Sequence, residues 1–164
     1  LFYGLQSLDQ GDLSAPSYLT RGYFIKARKI PASDAFEGRR TGTKGASKAK
    51  KDIVNQFYAL KVSPLDKNYG QSFLFSRKVK SYDAENILGF IKGSKFPDEY
   101  IVISAHYGHE GIKYGKIYNG ADDNASGVGA IFSFAEYFKT NPSKHSIILA
   151  AFDAEELAIS CLGR

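Results

Sequence analysis

The sequence predicts an α/β domain, a three-layer αβα sandwich around a mixed, partly parallel sheet, and three observations carry that prediction. Residues 100–105 and 145–152 are short apolar runs of strand length, rich in β-branched side chains. Between them, Val128, Ile131, Phe132, Ala135 and Phe138 recur at spacings of three and four, which makes residues 125–139 one amphipathic helix. A further helix start follows the second strand at Ala154. Strand, helix, strand and helix in this order form a βαβα unit whose strands run parallel.

The remaining elements follow along the chain. Residues 1–35 have weak periodicity, interrupted by Pro16 and Pro31, and read as loops with at most one short helix, residues 1–31 forming a poorly defined lead-in. Residues 36–45 are a loop rich in Gly, Arg and Thr. Residues 44–61 then place Ala46, Ala49, Ile53, Phe57 and Leu60 on one helical stripe. Residues 71–79 and 86–92 read as adjacent antiparallel strands, and Pro97-Asp98 marks a turn before residues 100–105. The 145–152 run is continuously apolar at its centre, as in a strand covered on both faces. Asn141-Pro142 ends the helix before it. With no internal repeat and no low-complexity linker, residues 1–164 read as a single domain.

Composition narrows the function classes. No apolar run is long enough to span a bilayer. The chain has a net charge of +5, with the excess of base in its first half and an acidic second half. Arg39, Arg40, Lys44, Lys48, Lys50 and Lys51 open and flank the first helix. They read as a solvated helix face rather than a nucleic-acid groove. Cys161 is the only cysteine, which excludes an internal disulfide and a cysteine-rich zinc site and suits a buried small apolar residue. The chain contains no Met and no signal-peptide pattern, and is expected to be a processed or partial product.

The acidic half holds the chemistry. Sites in open α/β sheets form beyond the carboxyl ends of strands. His106 follows the first of the two parallel strands, Asp122 and Asp123 precede the intervening helix, and Glu155 and Glu156 follow the second strand. An imidazole and carboxylates converging at one sheet edge suit zinc or another divalent ion. Each group also has an ordinary structural explanation. His106 could be a hydrogen-bonded loop histidine. Asp122-Asp123 could be a turn with Asn124 or Ser126 capping the helix. Residues 153–156 fit a capping box in which Glu156 reaches back to the Asp153 amide.

The strings SAHYGHEG (residues 104–111), NGADDNASGVGA (119–130) and AAFDAEEL (150–157) resemble the three signature blocks of the co-catalytic di-zinc aminopeptidase family. That family includes bacterial leucyl aminopeptidases and glutamate carboxypeptidase II, with glutaminyl cyclase and the transferrin receptor among its non-peptidase relatives. Residues 32–57 resemble its first helix and the preceding loop. The resemblance implies a phosphorylase/hydrolase-like fold of zinc-exopeptidase type. It implies two Zn2+ ions per complete site, a peptide substrate, and secretion or a periplasmic location. His106 would bind one zinc, Asp122 would bridge both, and Glu156 would bind the second. Glu155 would be the general base that takes a proton from the zinc-bridging water, with Asp123 in support. The Asp122–Asp123 peptide would be cis. The paired cations would lower the pKa of the bridging water towards neutrality.

Two departures from the pattern carry expectations of their own. The family's block reads His-Tyr-Asp-His, and position 108 is Gly, so the carboxylate that fixes the tautomer of the ligand histidine is missing. Restoring Asp at 108 is therefore expected to tighten zinc. The family also supplies one more Asp and one more His downstream, beyond Arg164. The domain is thus expected to be incomplete at its C-terminus, with partial zinc occupancy and weak or no activity of its own. Three functions follow from the residues and the resemblance: a zinc-dependent aminopeptidase, a non-catalytic binding domain of the same fold, or a glutaminyl-cyclase-like acyl transfer. Substrate preference and oligomeric state are not legible.

Overall fold

The structure, a computed structural model, describes residues 32–157. The lead-in expected over residues 1–31, and Cys161, lie outside the described residues. The described chain opens with a 3-10 segment, Asp34–Arg39, and the helix α1, Lys44–Ala59. Thr43 starts α1, its side-chain oxygen accepting the Ala46 amide. The predicted stripe is the buried face: Ala46, Ala49, Ile53, Phe57 and Leu60 are all 9% exposed or less. Burying a side chain such as Phe57 completely contributes about 2–3 kcal/mol. Phe57 meets Phe132 of the second helix edge-on, with ring centroids 6.0 Å apart.

Seven strands follow: β1 Ser63–Pro64, β2 Gly70–Arg77, β3 Lys80–Ile91, β4 Phe96–His106, β5 Gly111–Lys113, β6 Lys116–Tyr118 and β7 His145–Phe152. The helix α2, Ser126–Thr140, lies between β6 and β7. β3 is the hub of the main sheet. β1 and β2 pair antiparallel with successive stretches of one edge, and β7 pairs antiparallel with the other. β4 then pairs parallel with β7. The sheet is therefore mixed and partly parallel, as predicted.

Three boundaries differ from expectation. β4 begins at Phe96 rather than at residue 100, and Pro97-Asp98, expected as a turn, lies within it at a shift of register against β7. The strand expected over residues 71–79 ends at Arg77, because Lys78 (φ +54) and Val79 form the tight turn of a hairpin. The strand expected from residue 86 begins at Lys80, six residues earlier, because its polar start is the second arm of that hairpin. Stacking of Phe75 on Tyr82, 5.2 Å between centroids, gives the arms their apolar contact. The small β5–β6 hairpin was not anticipated at all.

In-register pairs put Ile87, Ile147, Ile103, Leu149, Ala105 and Ala151 on one face of the sheet. Both helices pack on that face, and Val128, Ile131, Phe132 and Ala135 of α2 join the same core as α1. The described residues thus supply two layers of the sandwich. The opposite face carries Leu88, Phe90, Ile148 and Val102, and no described helix covers it. No helix among the described residues is long and apolar enough to cross a membrane.

Candidate metal centre

Parallel pairing of β4 and β7 ends both strands at the same edge. His106 stands opposite Phe152 in register, and the ladder extends one step further through Tyr107 N–H donating to Phe152 O at 2.8 Å. Tyr107 then turns inward. Its ring is 2% exposed, and its hydroxyl donates to Glu85 O at 2.8 Å and Asp153 Oδ2 at 3.0 Å. Burial, reinforced by the Asp153 charge, pushes the phenol well above its ordinary pKa. Asp153 is itself buried and anchors the start of the second segment. The capping box is not formed: the Asp153 amide donates to Asn86 Oδ1 at 3.1 Å, and Glu156 turns elsewhere.

His106 faces outward from this anchored edge. Its Nδ1 lies 2.9 Å from Gly108 O. A carbonyl only accepts, so Nδ1 carries the proton and Nε2 is the site-facing nitrogen. The main-chain carbonyl of Gly108 thereby orients the ring without any carboxylate at 108. Glu110, close in sequence, is engaged elsewhere. The hydrogen bond from Lys113 holds its carboxyl below the usual range, and Arg40 lies 3.3 Å away.

Nε2 of His106 lies 3.0 Å from Asp123 Oδ1 and 3.9 Å from Glu155 Oε2. The carboxylate that meets the histidine is therefore that of Asp123. Asp122, expected as the bridging residue, is exposed and belongs to neither group of potential metal ligands among the described residues. The cis peptide is also one residue further on, at Asp123–Asn124. The local backbone explains the shift of side chains. Asp123 is extended (φ −128°, ψ 85°), which turns its side chain away from those of its chain neighbours and towards His106. Asn124 turns to accept the Gly127 amide at 3.0 Å, so the capping explanation for Asn124 holds beside the site. Gly127 permits this approach: a Cβ there would lie 2.2 Å from Asn124 Oδ1 and 2.8 Å from the Ala105 Cβ.

Glu155 and Glu156 differ in exposure and in nearest partner. Glu155 stands at the rim, its side chain 53% exposed, whereas Glu156 is 18% exposed and lies 2.7 Å from Nδ1 of His109. His109, to which the sequence reading gave no role, belongs to a group of potential metal ligands. The signal available was its place directly after Tyr107-Gly108, at the same sheet edge. Arg39 was misread outright. It is 0% exposed, not part of a solvated face. Its guanidinium donates to Tyr107 O at 2.8 Å, Asn119 O at 2.7 Å and Gly120 O at 3.2 Å. It therefore ties the loop after β4 to the loop before α2, and burial lowers its pKa to about 10.

The donor set fits a divalent cation. His106, Glu155 and Glu156 form one group, and His109, Asp123 and Glu156 another, each with ligand atoms within 4.8 Å of one another. Nε2 of His106 and Oδ1 of Asp123 both present lone pairs across 3.0 Å, a contact satisfied only by a proton or a metal ion between them. Imidazole with carboxylate is a zinc-type donor set.

Fold and site together define an α/β protein with a mixed, partly parallel sheet and imidazole and carboxylate groups gathered at one of its edges. Residues 86–163, which hold all three motif strings, match the model of peptidase family M28, in agreement with the resemblance seen in the sequence. Among solved structures, the chain is similar to Fimbriiglobus ruber glutaminyl cyclase, with a TM-score of 0.72 and 17% identity over 90% of this chain and 49% of that one. It is similar to a Zn-dependent exopeptidase from Parabacteroides distasonis, with a TM-score of 0.69 and 20% identity over 85% and 48%. It is also similar to Bacteroides thetaiotaomicron glutaminyl cyclase, with a TM-score of 0.67 and 22% identity over 85% and 48%. The chain spans about half the length of these structures.

Proposed function

We propose that the whole protein is a zinc-dependent exopeptidase that removes N-terminal residues from peptides. The observation that carries this reading is the unequal placement of the paired glutamates. Glu156 belongs to both groups of potential ligands and is 18% exposed, whereas Glu155 belongs to one and stands 53% exposed at the rim, within reach of water. His106, Asp123 and Glu156 would hold the metal, with Asp123 taking the bridging role that the sequence had suggested for Asp122 if two ions bind. When bound, zinc acidifies a water and polarises the scissile carbonyl. Glu155 would receive the proton of the attacking water and return it to the leaving amine, as a positioned carboxylate does in general acid–base catalysis. Gly108 O would keep His106 in the tautomer that leaves Nε2 for the metal.

The test is release of a chromophore from an aminoacyl derivative by the full protein, before and after chelation and zinc restoration. Glu155→Gln is expected to lower kcat by about 10²–10⁴ while leaving zinc content unchanged. Fold similarity to the glutaminyl cyclases motivates a parallel assay. Ring closure of a glutamine-starting peptide with loss of ammonia, in place of aminoacyl release, would reassign the chemistry to acyl transfer. Absence of both activities in zinc-loaded protein would favour a binding domain.

A further inference from the structure

We propose that His109 is itself a metal ligand, completing with Asp123 and Glu156 a cation subsite beside the one that His106 faces. The proposal rests on the zinc-dependent reading above and extends it to a residue with no assigned role.

Four observations converge on this residue. The ligand atoms of His109, Asp123 and Glu156 lie within 4.8 Å of one another. The imidazole is 11% exposed, yet its Nδ1 points at Glu156 Oε1 across 2.7 Å rather than into the core. The space for the ring is created by Gly120, where a Cβ would stand 2.5 Å from His109 Cδ2. Finally, Arg39 fixes the loops on both sides. Its own carbonyl accepts the His109 amide at 3.2 Å, while its guanidinium holds Asn119 and Gly120. A ring this constrained has its nitrogen set before any ion arrives.

The chemistry is consistent with the geometry. Two ligand atoms on one tetrahedral zinc lie roughly 3.3 Å apart, given metal–ligand distances of about 2.0–2.1 Å. The present 2.7 Å contact is a hydrogen bond, and a small rotation of the Glu156 carboxylate opens it. The neutral ring would bind through Nδ1 as its other tautomer, its single N–H proton moving from Nδ1 to Nε2 by way of solvent. One imidazole and two carboxylates make a three-ligand zinc site with an open position.

The chain has three histidines, which makes a direct test practical. The full protein would be labelled with ¹⁵N-histidine and titrated with Zn2+. Two-bond ¹H–¹⁵N spectra report each ring, with signals assigned by single His→Gln variants. His145 lies at the opposite end of β7, 3.2 Å from Glu99, and serves as the internal reference. The expected result is saturable shifts of His106 and His109 together, with His145 unmoved. A shift of His106 alone overturns the proposal and leaves the zinc-dependent reading intact. No shift of either ring overturns both. His109→Gln keeps a donor for Glu156 but loses the ring nitrogen. It is expected to weaken one equivalent of zinc at least about tenfold in competition with a chelating dye. Wild-type affinity in that variant would make His109 a positioning residue only, and the proposal would fail.

Discussion

Asp153 accepts four hydrogen bonds, from Thr41 Oγ1 at 2.7 Å, the Ala154 amide at 2.8 Å, Tyr107 OH at 3.0 Å and the Glu85 amide at 3.3 Å. A carboxylate held so firmly does not yield space. A Cβ at Gly108 would stand 3.0 Å from Asp153 Oδ1. Two consequences follow for a side chain at 108: steric strain, and for aspartate a second negative charge beside a buried one. Gly108→Asp is therefore expected to destabilise the fold by about 2–3 kcal/mol and leave zinc no tighter, and Gly108→Ala to cost about 1–2 kcal/mol. Urea unfolding and dye-competition zinc titration would measure both. Tighter zinc in the aspartate variant would show that the carbonyl is a poor substitute for the carboxylate. The sequence motif alone suggested the opposite outcome, because a motif records side chains and the group orienting His106 is a main-chain oxygen. The same blindness applies to Asp122 and Asp123. Two adjacent aspartates are equivalent on paper, and only the extended backbone at Asp123 decides which one faces the histidine. Arg39 was hidden for a related reason. Arginines and lysines crowd that segment, and nothing in the string marks the one whose guanidinium donates to three main-chain carbonyls inside the fold.

At the scale of elements, the helices and the antiparallel pairing of β2 with β3 were legible, whereas the turn joining those strands and the β5–β6 hairpin were not. Apolar residues at spacings of three and four act cooperatively over four turns, so the stripe of α1 survives any single exception. Strand β3 begins with alternating polar residues whose pairing depends on a turn at Lys78-Val79 that carries no Gly or Asn signal. Within α1, Asp52 is an exception with a measurable consequence. It sits half-buried beside Ile53 of the core stripe, and burial raises its pKa above the usual 3.8. A carboxyl whose folded pKa exceeds its unfolded pKa contributes stability that is fully present below the unfolded value. That contribution is lost as pH rises through the folded value. At pH 7 the charge is therefore a burden on the helix. Asp52→Asn is expected to raise the melting temperature at pH 7, with the gain vanishing near about pH 3, where both states hold the proton. A gain independent of pH would assign the effect to packing instead of ionisation.

At the scale of the molecule, the sheet has one face organised around a single core and one edge left open among the described residues. β4 pairs with β7 alone, and it displays Tyr100, Ile101 and Val102 at 56%, 47% and 58% exposure. Apolar side chains beside unpaired backbone donors and acceptors favour pairing with another chain. The net charge of +5 opposes association, but β4 itself carries its acidic groups, Asp98 and Glu99, before the apolar stretch and no lysine within it. Screening by salt should then expose the tendency, because a charge-based barrier weakens as the Debye length falls to about 8 Å at physiological ionic strength. Val102→Lys places a cation on the uncovered face of the edge strand without touching the core beneath the helices. Concentration-dependent light scattering at physiological salt is expected to fall in this variant, while stability changes by no more than about 0.5 kcal/mol, as for an ordinary surface substitution. Unchanged scattering would show that the β4 edge is not the associating surface. A loss of stability well beyond that figure would mean that Val102 is packed against a layer outside the described residues, and that the uncovered face of the sheet is covered after all.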